Sequence, residues 1–128
     1  MKQLHTMTAV IEAGAGLALL VAPSIVVKLL FDAEISGAAI PLGRVAGAAL
    51  LALGVACWLA RGDAQSPAAR GLVAAMTFYN FAAVAIFLFA GLELKLAGIA
   101  LWPAVILHAA MGVWCVTSLR RKPDGNGF

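Results

Sequence analysis

Four residues in this chain stand where polar groups are costly. Glu12, Arg44, Asn80 and His108 each interrupt a different long apolar run. A carboxyl, a guanidinium, a carboxamide and an imidazole can between them close an ion pair, pass a proton, or offer donors and acceptors to the polar end of a ligand. At membrane depth such groups face a bundle interior, because hydrocarbon offers them no partner. Small residues one turn away mark the face that another helix can approach. Thr8 and Gly16 flank Glu12 in this way, Gly47 and Ala48 follow Arg44, and Ala104 and Gly112 flank His108. Asn80 differs: its neighbours one turn away are Met76 and Val84, with Thr77 and Ala83 on the same side.

Two readings of this set stay open. In one, Glu12 pairs with Arg44 while Asn80 and His108 bridge helices, through polar contacts of about 1 kcal/mol each that specify one arrangement. In the other, the groups line a cavity for a polar or amphipathic small molecule, or relay a proton between Glu12 and His108. Arg44 stands about 9 Å outward of the midplane at 1.5 Å per residue, so its side chain can also snorkel and leave Glu12 to His108. Metal and haem chemistry lack ligands: one histidine at membrane depth and one carboxylate do not close a site, and His5 falls at the inner interface. No run around Thr8 or Ser24 has the form of a nucleophile elbow. Cys57 and Cys115 lie in different apolar runs without metal or redox spacing and read as buried apolar thiols. The aromatic group between Phe78 and Phe89 could hold a flat ligand, but packing and lipid contact are its commoner roles.

Composition dictates the elements that must position these residues. Hydrophobic residues make up 63% and charged residues 12% of the 128, and the mean hydropathy is +0.99, far from a soluble domain of this size. A helix crosses the hydrocarbon with about 20 apolar residues, and four such runs fit here with short polar joints. The alternation of barrel strands is absent, so helices must satisfy the backbone. The expected fold is an all-α integral membrane four-helix bundle, one domain over residues 1–122 with a disordered tail over 123–128.

The first span begins near Leu4 and ends near Ala22, because Pro23 breaks a helix interior. PSIVVKLLF then forms a short interfacial helix before Asp32. The second span runs from Ile40 to Ala60; Gly43 and Gly47 form a GxxxG pair, and Ala48, Ala52 and Ala56 form a second small stripe. The GxxxG pair is assigned to packing within the chain, with a homodimer seam as the alternative. Ser66 is the expected N-cap of a third span from Pro67 to Leu92. A fourth runs from Leu96 to Leu119, with Pro103 bending it one turn before His108.

Lys2, Arg61, Arg70, Arg120, Arg121 and Lys122 fall on one side of the four spans; Lys28 and Lys95, offset by Asp32, Glu34 and Glu93, fall on the other. The positive-inside rule then places both termini in the cytoplasm. Trp102 belongs to the outer interface, and Trp58 and Trp114 to the inner one. Glu12 interrupts the N-terminal apolar run, which is read as a retained span rather than a signal peptide. The net charge of +3 is scattered over segment ends, a pattern that excludes a nucleic-acid patch.

The stretches GAGLALLVAP, LGRVAGAALLALG and WPAVILH resemble the small four-helix membrane proteins grouped as DoxX-like. Some of those proteins are associated with quinone-linked redox complexes or act as membrane accessory proteins, which the resemblance implies for this chain as a class. No active-site residue is carried over with it. The expected function is that of a multi-pass protein of the cytoplasmic (inner) membrane. Its polar site of Glu12, Arg44, Asn80 and His108 would bind a small amphipathic molecule, quinone- or lipid-like, or the protein would serve as an accessory subunit beside a membrane partner or a second copy. The alternatives are a proton-coupled small-solute transporter using Glu12 and His108, and a membrane-embedded isomerase or oxidoreductase. Residue chemistry alone names no cofactor.

Overall fold

Prolines, glycines and one serine cap divide the apolar runs into helices. The computed structural model describes residues 1–121, so Lys122 and the tail over 123–128 lie outside the described residues. The chain forms α1 (Lys2–Val21), α2 (Pro23–Phe31), α3 (Ala39–Ala60), α4 (Pro67–Leu92) and α5 (Leu101–Arg120), with a 3₁₀ turn at Arg61–Asp63. All except α2 are long and apolar enough to cross a membrane. Their outward faces carry large apolar side chains, among them Phe78 at 78% and Leu59 at 74% exposure.

Pro23 separates α1 from α2 as expected, at the first position of α2, where its missing N–H has no helical partner to lose. Ser66 caps α4, its hydroxyl accepting from the Ala69 N–H at 3.2 Å. The fourth span departs from expectation. It starts at Leu101 rather than Leu96, because Lys95 turns left-handed (φ 57°) and residues 96–100 serve another purpose. Pro103 therefore sits in the first turn, Ile99 lies outside the helix, and the expected bend before His108 has no lost hydrogen bond to cause it.

Residues 96–100 dock on the end of α2. Helix ends leave carbonyls unpaired, and here Gly98 N–H donates to Leu30 O at 2.9 Å while Ala100 N–H donates to Leu29 O at 2.8 Å. A Cβ at Gly98 would lie 2.2 Å from the Leu29 carbonyl oxygen, so only glycine fits this approach. The C-terminus of α2 thereby meets the N-terminus of α5, and the opposed partial charges of the two ends favour the junction. On the exposed side of α2, Lys28 pairs with Asp32 at 3.1 Å and Glu34 at 3.8 Å. The hydrogen bond to Asp32 and the nearby negative charge hold Lys28 above its usual value. The pairs are formed at neutral pH and, on the alkaline side, open as pH rises through the lysine range; being exposed, they add little stability.

The helices associate as two antiparallel pairs. In the first, α1 and α3 touch backbone to backbone: a Cβ on Gly16 would meet Leu51 N at 2.5 Å, and one on Gly47 would meet Leu20 N at 2.5 Å. Gly54 against Ala13 and Gly43 against Pro23 extend the seam in both directions. Gly43 and Gly47 thus serve packing within the chain, whereas Ala48, Ala52 and Ala56 face outward. In the second pair, Gly112 of α5 receives the Phe81 ring of α4, and Gly91 of α4 receives Leu101 and Trp102. Leu4, Cys57, Val73, Met76, Met111 and Cys115 join the pairs at the end that carries the N-terminus.

Candidate functional site

Between the two pairs, from mid-height to the α2 end, lies a cavity of about 410 Å³. Glu12 of α1, Tyr79 of α4 and His108 of α5 provide its polar wall. The rest is apolar: Leu19 and Leu50 on the first pair, Phe87 and Leu107 on the second, and Val26, Leu30 and Phe31 of α2 across one end. This volume falls in the range of small-molecule sites, about 300–1,000 Å³, and so does the balance of many apolar walls with few convergent polar groups. Leu29 and Leu107 line the cavity and are also exposed, at 46% and 40%, so it reaches the outer apolar surface beside α2. Toward the N-terminal end it stops above the Leu4, Met76, Met111 and Cys115 cluster.

A fixed chain of hydrogen bonds orients His108. Asn80, only 1% exposed, turns its amide nitrogen back along α4 to donate to Met76 O at 2.8 Å. Its oxygen is thereby left facing α5, where His108 Nδ1 lies 2.9 Å away. An amide oxygen only accepts, so Nδ1 carries the proton and donates. The Tyr79 and Phe87 rings brace the imidazole edge-on and at a tilt, each with its centroid 5.6 Å away. Glu12 is 3% exposed, and the Tyr79 hydroxyl lies beside its carboxyl. Among the described residues no ion pair reaches Glu12; the salt bridges are those of Lys28.

Three of the four residues singled out from sequence therefore come together, two of them on the cavity wall and Asn80 immediately behind His108. Arg44 does not join them, and the Glu12–Arg44 pair of the first reading is absent among the described residues. Gly43 packs on Pro23, which sets this part of α3 about 16 Å along the α1 axis from Glu12 at 1.5 Å per residue. The Arg44 side chain is on the exposed face of α3. Neither its level nor its direction reaches the site.

Sequence reasoning missed Tyr79, which it had assigned with the other aromatics to packing or lipid contact. The available signal was that Tyr79 is the only tyrosine in the chain, an amphipathic ring adjacent to the intramembrane Asn80. His5, expected at the interface, is 1% exposed and ties α1 to α4, with one ring nitrogen 3.0 Å from Met1 O and the other 3.3 Å from Ala69 O. Cys57 and Cys115 are buried free thiols, as expected. Among the described residues no group of three or more His, Cys, Asp or Glu side chains is placed to hold a metal ion.

The fold and the site define an all-helical protein with four helices able to cross a membrane and a polar-walled internal cavity. Compared with known proteins, the chain matches no family model, no curated protein and no solved structure.

Proposed function

We propose that this chain is a multi-pass protein of the cytoplasmic membrane, with both termini on the cytoplasmic side, that binds one small amphipathic molecule between its two helix pairs. The carrying observation is the cavity, with Glu12, Tyr79 and His108 at one wall and aliphatic side chains elsewhere. A polar head would sit against those three residues. An apolar tail would leave past Leu29 and Leu107, where the cavity meets the lipid-facing surface. That division suits a quinone- or lipid-like molecule, which is also the class that the DoxX-like resemblance suggests.

A binding role is favoured over solute transport because the cavity reaches the outer surface beside α2 and stops on packed core toward the other end. A transporter needs a route to both faces. A purely structural role for Glu12 is disfavoured because no cation among the described residues completes it, although intramembrane carboxyls are ordinarily paired.

The test is to purify the protein from native membranes in mild detergent, extract it, and identify bound small molecules by mass spectrometry, alongside Glu12→Leu and Arg44→Leu. One amphipathic species at near one per chain, lost from Glu12→Leu and kept in Arg44→Leu, is the expected result. A folded wild-type protein carrying only bulk lipid in membrane proportions would overturn the proposal.

A further inference from the structure

Resting on that reading, we infer that the site selects a ligand whose polar head carries a hydrogen-bond donor, a phenol or alcohol, with His108 Nε2 as the acceptor. The inference turns on which ring nitrogen is free. Asn80 is anchored from behind by Met76 O, so its oxygen, not its nitrogen, faces His108. That oxygen requires a proton on Nδ1. In the neutral ring, Nε2 then has a lone pair and no proton. Among the described residues Nε2 has no hydrogen-bond partner, although His108 lines the cavity and is half-buried.

Tyr79 and Phe87 hold the ring plane, and the Nδ1 bond fixes rotation about its side-chain bonds, so the lone pair is a pre-set acceptor. Glu12 and Tyr79, the other polar residues on this wall, belong to different helices from His108, and no contact within ion-pair distance joins Glu12 to His108 among the described residues. The cavity space beside the imidazole is where a hydroxyl would sit, donating to Nε2, while the Tyr79 hydroxyl stays with the Glu12 carboxyl. A carbonyl or ether in the same place would set its lone pairs against that of Nε2, so within the quinone-like class the site takes the reduced quinol and not the quinone. A site built around a hydrogen bond discriminates against analogues that lack the donor, because its own polar group is then left unpaired. Asn80 is the positioning residue and His108 the contact.

The experiment compares 4-octylphenol with 4-octylanisole, which differ by methylation of the one donor, on the full chain in lipid nanodiscs by competition and by thermal shift. Wild type should bind the phenol about fivefold to tenfold more tightly than the ether, the worth of one net hydrogen bond. His108→Phe should bind both equally. Asn80→Asp, whose carboxylate favours a doubly protonated ring with a donor at Nε2, should abolish the preference, because phenol and ether oxygens both accept from that donor. ¹⁵N NMR of labelled wild type should report an unprotonated Nε2 on His108. Equal binding of the two probes by wild type overturns the donor rule, and if Glu12→Leu weakens both, the cavity reading survives. If neither probe binds wild type, the inference and the site reading fall together. A protonated Nε2 in wild type overturns the acceptor assignment on its own.

Discussion

At the scale of single residues, burial and reach decide what each polar group does. Asn80 spends both ends of its amide on protein, one on its own helix and one on His108, so replacing it exposes a cost on the partner. Asn80→Leu leaves His108 Nδ1–H without an acceptor, and we expect a loss of about 1–3 kcal/mol, read as a lower midpoint of thermal unfolding in detergent. Arg44→Leu removes an exposed side chain and should move the same midpoint by less than about 0.5 kcal/mol. It should leave the bound-ligand profile unchanged. Sequence marked both residues, leaving Arg44 free to snorkel away, because depth along a run is legible from residue counting, whereas azimuth around a helix is not. Gly47 and Ala48 beside Arg44 advertised a close approach; Gly47 made it to α1, three residues on and about 60° around the helix from the arginine.

At the scale of elements, the helices were legible because Pro23, Ser66 and Pro67 act locally, through a missing donor and a side-chain cap. The start of α5 was not, because Leu96 to Ala100 are apolar enough to continue a helix and are diverted by the carbonyls of a helix distant in sequence. The seam between α1 and α3 offers a clean test of backbone contact. Gly16→Val adds atoms where even a Cβ would stand 2.5 Å from Leu51 N, and overpacking of this kind costs about 1–3 kcal/mol or more. Gly14→Ala, on the same helix, meets nothing within 4 Å and should instead leave the midpoint unchanged or raise it by up to about 1 kcal/mol. Equal losses from the two variants would mean the seam is not where it is described.

At the scale of the whole molecule, the proposed orientation predicts which positions meet which compartment. Single cysteines at Gln65 and Lys2 should react with a membrane-impermeant maleimide only after the cytoplasmic side is opened, and one at Ser36 should react from outside, in a background lacking Cys57 and Cys115. The reverse pattern would invert the bundle and place the α2 end of the cavity in the inner leaflet. The bundle itself was legible from hydropathy, since four long apolar runs leave few other arrangements. The cavity was not, because it exists only where the two tightly seamed pairs fail to fill the space between them, a property of packing that no single run encodes.

The docking of Gly98 and Ala100 on the Leu29 and Leu30 carbonyls also orders events during synthesis. When α2 leaves the ribosome, the residues that will satisfy its last carbonyls are still about seventy positions from being made. Until then that end of α2 has to stay in water, since hydrocarbon gives a bare carbonyl no partner. In the proposed membrane setting the short helix waits at the surface and settles over the cavity only when the second pair arrives, so the proposed site closes last, after all four long helices are in place.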